Sequence, residues 1–318
     1  MTWSDKLKNI SILIPVRNGI QYFERMKKSI LENCSNSDEI VIVEDGSTDG
    51  VEKLISKWES EDNRIRVVKN DGKGLVDALN LGLRVAKNEW VARVDIDDMY
   101  DHNRINFQKL LITNNVVGIF SDYSVVSESG SYLGTITSAV SPAAVAVSLI
   151  SSQRTAHPSV LFNKSAVLAV GGYRVEDFPA EDLSLWLRLT RVGDLVSAPQ
   201  VLLKYQMSTN SISALKRAEM LNKKNQLIKN IGIQRSDFSK VSSDWQDFFT
   251  NYDNLALANQ RKLLLLRDFV ISSNYLEEFI NVKKEIKAMT FDVFTELGSY
   301  IELSRLTYYK IIKKIVRI

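Results

Sequence analysis

Residues Trp90 to Tyr100 read Trp-Val-Ala-Arg-Val-Asp-Ile-Asp-Asp-Met-Tyr. The first five, Trp90 to Val94, are a short apolar and β-branched run of the kind that fills a buried strand. Three carboxylates follow within four positions: Asp95, Asp97 and Asp98. Like charges this close repel and raise one another's pKa unless something positive lies among them. A hard divalent cation meets that need, because Mg2+ or Mn2+ takes oxygen ligands and keeps places for substrate phosphates. A parallel strand ending at Val94 would also put the acids where open α/β sheets bind ligands, outside the carboxyl ends of their strands. A solvated acidic loop is the alternative.

Upstream, strand and helix patterns alternate. Ile10 to Val16 is a nearly continuous apolar run, as in a strand buried on both faces. Arg17-Asn18-Gly19 turns it, and Tyr22 to Leu31 reads as a helix with apolar residues at Phe23, Met26, Ile30 and Leu31. Glu39 to Val43 is a second buried strand, ending in Glu44-Asp45-Gly46-Ser47-Thr48-Asp49-Gly50. A helix with Leu54, Ile55 and Trp58 on one face, a strand over Ile65–Val68 and a helix over Lys73–Ala86 follow. This alternation predicts a doubly wound, mostly parallel α/β sheet flanked by helices. No P-loop pattern and no G-x-G-x-x-G after the first strand is present, which disfavours P-loop kinases and dinucleotide oxidoreductases. Acids stand at the strand ends instead. Asp45 suits a hydrogen bond to a base or ribose; a turn-former or the N-cap of the next helix is the alternative.

Past Asp98 the pattern loosens. Arg104 to Ile112 reads as a helix and Val116 to Phe120 as a strand; Tyr123–Val126 and Ser131–Ile136 read as a pair joined by a Ser-Glu-Ser-Gly turn. Ala143–Ile150 is a small-residue helix, and Ser159 to Phe162 a strand after His157-Pro158. Glu181-Asp182 opens a helix with Leu183, Trp186 and Leu187 on one side. As first-turn acids these two also complement the helix dipole. From Ser213 onward proline disappears and charged, leucine-rich patterns suggest several helices, so a boundary is expected near residue 208, with a helical region over 209–318. In Arg305 to Ile318, Lys310, Lys313, Lys314 and Arg317 share one helical face and Ile311, Ile312, Ile315 and Val316 the other. A basic amphipathic helix of this kind suits an anionic membrane surface; packing on the domain is the alternative.

Composition narrows the class. Hydrophobic residues at 45% and charged residues at 25% are ordinary for a soluble globular protein. A net charge of +3 gives no argument for nucleic acid. One cysteine, Cys34, excludes an internal disulfide and fits a reducing compartment. Two histidines, His102 and His157, leave no Cys/His zinc site. The first residues lack an apolar signal core and no run approaches a membrane span, so cytoplasmic residence is expected, peripheral on the inner membrane face if the tail binds there.

The chain resembles the family 2 glycosyltransferases, inverting enzymes of the GT-A fold that use nucleotide-sugar donors. The resemblance lies in Ile14-Pro15-Val16-Arg17-Asn18-Gly19, Val43-Glu44-Asp45-Gly46-Ser47-Thr48-Asp49, Gly74-Leu75 with Ala78-Leu79-Asn80, and Ala92-Arg93-Val94-Asp95-Ile96-Asp97-Asp98. It continues in His157-Pro158-Ser159, Gly171-Gly172-Tyr173-Arg174 and Glu181-Asp182-Leu183-Ser184-Leu185-Trp186-Leu187-Arg188-Leu189. It implies a donor site of Pro15, Asn18, Asp45, Arg93, Asp95 and Asp97, with Pro15 against the nucleotide and Asp45 on its base, usually uracil. Asp98 would ligate Mn2+ or Mg2+ on the diphosphate, with Asp97 beside it. Asp182 would be the general base and Glu181 its support. The implied reaction moves a sugar from a nucleoside-diphosphate sugar to a hydroxyl of a glycan or lipid-linked acceptor, as in bacterial surface polysaccharide synthesis. Departures are visible. The family's Tyr-Arg-x-His pattern reads Tyr205-Gln206-Met207-Ser208 here, so Ser208 stands where a histidine metal ligand is expected, and Ser208 or water would take that place. Glu44 replaces the commoner Asp, and no Q-x-x-R-W marks a processive synthase. Two other classes compete: a sugar-nucleotide nucleotidyltransferase, which should show a Gly-rich basic first turn, and a catalytically inactive member serving as a membrane-associated assembly subunit.

Overall fold

The computed structural model describes residues 9–230, except 141, 152, 153 and 210. The elements run β1 (Ile10–Val16), α1 (Phe23–Asn33), β2 (Glu39–Glu44), α2 (Val51–Glu61), β3 (Ile65–Lys69), α3 (Leu75–Val85) and β4 (Trp90–Arg93). Then come β5 (Met99–Tyr100), α4 (Arg104–Lys109), β6 (Val116–Val126), β7 (Tyr132–Ile136), α5 (Pro142–Ser151), β8 (Leu161–Asn163) and α6 (Lys164–Ala169). The series closes with α7 (Glu181–Leu189), β9 (Asp194–Gln206), α8 (Ile212–Leu215) and α9 (Arg217–Asn230).

Nine strands form one sheet in the order β3-β2-β1-β4-β8-β6-β9-β5, with β7 added beside β6. The first four are parallel, and every residue of β1, β2 and β4 is buried, which is why they read as unbroken apolar runs. Helices α1 and α2 cover one face through Phe23, Met26, Ile30, Ile55 and Trp58, with the Phe23 ring edge-on to Trp58 at 5.8 Å. Helix α3 packs on β1 and β2 with Gly82 against Leu13, where even a Cβ would lie 2.0 Å from the leucine methyl.

At β4 the sheet changes character. Strand β8 pairs antiparallel with both β4 and β6, and β9 runs parallel to β6 over its whole length. Three features differ from the sequence reading. Strand β6 continues unbroken from Val116 to Val126, so the two short runs expected there are one strand, bulged near Asp122 against β9. Strand β9 itself, 13 residues long, went unread; so did the two-residue β5 that pairs with it.

A buried polar knot fills the point where β4, β8 and β6 diverge. Arg104, 1% exposed, donates through Nη2 to the carbonyls of Arg93 and Val160, both at 3.0 Å. Its Nε meets Gln108 Oε1, and Gln108 Nε2 donates to the carbonyls of Ile119 and Ser159. The buried carbonyls of Arg93, Ile119 and Ser159 thereby gain side-chain donors, and Val160 O, which also accepts from Arg93 N–H at 3.0 Å, gains a second.

Helices α8 and α9 follow β9; residues 231–318, which hold most of the helical region expected over 209–318 and the amphipathic segment 305–318, lie outside the described residues. Among the described residues no helix is long and apolar enough to cross a membrane.

Candidate functional site

The acid loop is held from three sides. Strand β4 hands over to it with Val94 N–H on Leu13 O at 3.0 Å, and Asp95 N–H donates to the buried Tyr100 hydroxyl at 2.8 Å. Tyr100 in turn belongs to β5, registered on Leu203 of β9. The end of β9 closes the loop, because Gln206 N–H donates to Asp98 Oδ1 at 2.8 Å. The buried Arg93 guanidinium pairs with Asp95. One ligand oxygen from each of Asp95, Asp97 and Asp98 lies within 4.8 Å of the others.

Asp98 is 1% exposed, and its Oδ2 is buried without a hydrogen-bond partner. Burial first, then the charges of Asp95 and Asp97, push the Asp98 carboxyl well above the ordinary carboxylate range. Burial and Asp95 likewise lift Asp97, to about 6. An unpartnered carboxylate oxygen amid two more carboxylates is a donor set that fits a hard divalent cation.

The loop forms one wall of a cleft of about 1100 Å³. Pro15 and Asn18 after β1, Asp45 after β2, and Arg93, Asp95 and Asp97 line it, and Glu181 and Asp182 at the start of α7 line it too. Two strand-end loops are stitched together at its rim. Asn18 Oδ1 accepts from Thr48 N–H at 2.8 Å, while Gly19 and Ile20 N–H both donate to Asp49 Oδ2. Asp45 accepts from Asn70 Nδ2 at 2.6 Å and from Gly74 N–H at 3.1 Å. Gly46, at φ 74°, sits so close to Gly72 that a Cβ would lie 3.2 Å from its backbone, which accounts for glycine after Asp45.

The acid pair on α7 is braced from below. Trp186 packs edge-on against Phe120 and His157, and His157 Nε2 meets the Tyr173 hydroxyl at 2.7 Å. Burial, with Arg93 nearby, keeps His157 neutral by driving its pKa well down. Asn80 clamps the Tyr173 backbone in both directions, at 2.8 and 2.9 Å, and Arg188 holds the carbonyls of Val170 and Gly172. Glu181 is buried, its Oε2 unpartnered, and burial together with the Asp182 charge raises its pKa to about 7. Asp182 is raised by burial, against the pull of Lys224 on α9 and of the Leu183 N–H, which it accepts at 2.7 Å.

Residues 11–127 match the family model described as Glycosyl transferase family 2. An uncharacterised glycosyltransferase of Rickettsia bellii is 29% identical over 187 residues, 57% of this chain and 26% of that protein. Over residues 11–127 the chain is similar in sequence to the family 2 glycosyltransferases. It spans only 33% of the length of two further relatives, from Rickettsia felis and Rickettsia conorii. Among solved structures, S. aureus TarS residues 1–349 in complex with UDP-GlcNAc aligns with a TM-score of 0.60 at 15% identity, covering 89% of this chain and 88% of that one. The mannosyltransferase PcManGT of Pyrobaculum calidifontis, in complex with GDP-Man and Mn2+, aligns at 0.56 with 17% identity, covering 98% and 86%. At these identities the likeness is one of fold, and the fold is GT-A.

The acids Asp45, Asp95 and Asp97 and the Glu181-Asp182 pair, 84 or more residues apart in sequence, share one cleft. Asp98 alone among the expected site residues does not line it and lies buried in the acid cluster behind the wall. Ser208 does line it, but its hydroxyl donates to Glu128, whose carboxylate also accepts from Thr209 N–H at 3.0 Å. Sequence reasoning missed Tyr123, Tyr205, Phe178 and Lys224, all cleft-lining, and Arg25, which reaches the acid loop from α1. Only Tyr205 carried a signal, as the tyrosine of the departed Tyr-Arg-x-His pattern.

Proposed function

We propose that this chain transfers a sugar, with inversion, from a nucleoside-diphosphate sugar to a hydroxyl of a glycan or lipid-linked acceptor. The observation that carries the reading is the shared cleft: a cation-ready acid cluster with an unpartnered Asp98 oxygen on one side and the Glu181-Asp182 pair lining the other. The nucleotide lies over Pro15, with its base against Asp45. That carboxylate already accepts from Asn70 and Gly74, yet two oxygens offer about four acceptor sites, which leaves room for a base N–H. A uracil nucleotide is the reading favoured here, in keeping with the UDP-GlcNAc held by the TarS structure.

Asp97 and Asp98, with Asp95 beside them, would hold Mn2+ or Mg2+, and the cation when bound offsets charge on the leaving diphosphate. Asp182 takes the proton from the acceptor hydroxyl as that oxygen attacks the anomeric carbon. Burial raises the Asp182 pKa, in the direction that favours a base, and burial with the Asp182 charge raises Glu181 beside it to about 7. The test is a panel of nucleotide sugars scored by melting temperature. A donor should stabilise the protein when Mn2+ is present and not when it is chelated; at 100 times its Kd the stabilisation is about 2.7 kcal/mol. Equal stabilisation with and without metal would count against the reading.

The acceptor is proposed to be lipid-linked and of the bacterial surface-polysaccharide kind, and the support for this is the sequence of residues 305–318. Its five basic residues each contribute about 1 kcal/mol near an anionic surface, beside an apolar face able to enter the headgroup region. Deleting 305–318 should abolish salt-sensitive binding to anionic vesicles and leave transfer to a soluble acceptor analogue unchanged. Full-length protein that ignores such vesicles at low salt would remove the membrane assignment.

A further inference from the structure

Arg25 has no part in the proposed chemistry, yet it bonds to the acid loop from a helix more than seventy residues upstream. It projects from α1, half-buried, with its guanidinium 5.3 Å from the centre of the Tyr22 ring. Its Nη2 donates to the backbone carbonyl of Asp97 at 2.6 Å and to Gln206 Oε1 at 2.6 Å. The same Gln206, through its backbone N–H, donates to Asp98 Oδ1 at 2.8 Å. One side chain thus ties the loop after β4, which carries the proposed cation ligands, to the last residue of β9.

The consequences follow from hydrogen-bond geometry. Asp98 has two oxygens. Gln206 N–H occupies one and thereby fixes the carboxylate plane, leaving Oδ2 as the buried atom without a partner. Gln206 holds that position only if the end of β9 stays against the loop. The β5–β9 pairing, Met99 on Lys204, keeps β9 beside the loop, and Arg25 adds the link from the Gln206 side chain to Asp97. A charged donor bonding to a carbonyl and an amide oxygen at 2.6 Å is a strong, directional link.

We infer that Arg25 and Gln206 form a clamp that sets the Asp97–Asp98 ligand geometry, making Arg25 a positioning residue for the divalent cation. The inference rests on the metal site proposed above. Partners that orient a metal ligand from outside the coordination shell typically change affinity by about 10–100-fold when removed. Losing Arg25 frees both ends of the clamp; losing the Gln206 side chain frees only one, and leaves the backbone bond to Asp98.

The experiment uses the full chain and measures the Mn2+ concentration giving half-maximal retention of UDP in equilibrium dialysis, alongside the melting temperature of the metal-free protein. Arg25→Met should raise that concentration by ~10-fold or more, and Gln206→Met by a smaller factor. Arg25→Lys, which keeps a cationic donor, should recover most of the loss. Melting temperature without metal should not track these changes. Unchanged Mn2+ dependence in Arg25→Met overturns the clamp, as does a loss that lysine fails to recover and that parallels a fall in metal-free stability. Should Arg25→Met fail to fold, an unaltered Mn2+ requirement in Gln206→Met overturns it. Asp98→Asn separates the two levels: if that variant retains UDP with wild-type Mn2+ dependence, the metal site itself is wrong, and the clamp falls with it.

Discussion

Replacing Asp182 with asparagine should lower sugar transfer by roughly 10²–10⁴-fold, the range for losing a positioned general base, while nucleotide binding survives. Asparagine is nearly isosteric and keeps an oxygen for the Leu183 N–H, so α7 should start as before. What is lost is the capacity to take a proton. The pH profile carries the same information. Burial raises Asp182 above the ordinary carboxylate range, and Glu181 is raised to about 7. A base works only when deprotonated, so transfer should fall as pH drops, with the acid limb displaced toward neutrality from the usual carboxylate range. Removing Lys224, whose charge opposes that rise, should displace the limb further upward. Near-normal turnover in Asp182→Asn would leave the residue a first-turn acid serving only the helix dipole.

Asp98→Asn should cost metal-dependent nucleotide binding ~100-fold or more, exceeding the loss expected of an outer partner. The amide oxygen keeps an acceptor for Gln206 N–H, which puts a neutral NH2, unable to ligate a cation, where the unpartnered carboxylate oxygen stood. The fold should tolerate the change. Without a cation, Asp98 adds a buried charge beside two others, so a neutral isostere should leave the metal-free protein no less stable, as judged by its urea midpoint. A variant that loses binding because it unfolds would show the opposite.

The first half of the fold was open to reading because β1, β2 and β4 are covered on both faces, and complete burial leaves an apolar run that few other structures produce. Strand β9 was closed to it. Its residues alternate irregularly between buried and exposed, with Pro199 and Lys204 inside, and its partners β6 and β5 are set by tertiary pairing. Arg104 and Gln108, four apart on a helix, carry no mark of burial in the sequence; tertiary packing buries them against the carbonyls of Arg93, Val160, Ile119 and Ser159. The site divides in the same way. Asp45, Asp95, Asp97 and Asp98 were legible because acids at strand ends have few structural reasons to cluster. Arg25 and Lys224 were not, since a basic residue on a helix is ordinarily solvated, and only the tertiary fold brings these two to the cleft and its acid loop.

The central claim, a nucleoside-diphosphate site built on a divalent cation, is tested most directly by calorimetric titration of UDP into the full chain, once with Mn2+ and once with the metal chelated. Saturable binding with Mn2+ and a loss of ~100-fold or more on chelation is the expected result. Equal affinity in the two titrations would contradict the account.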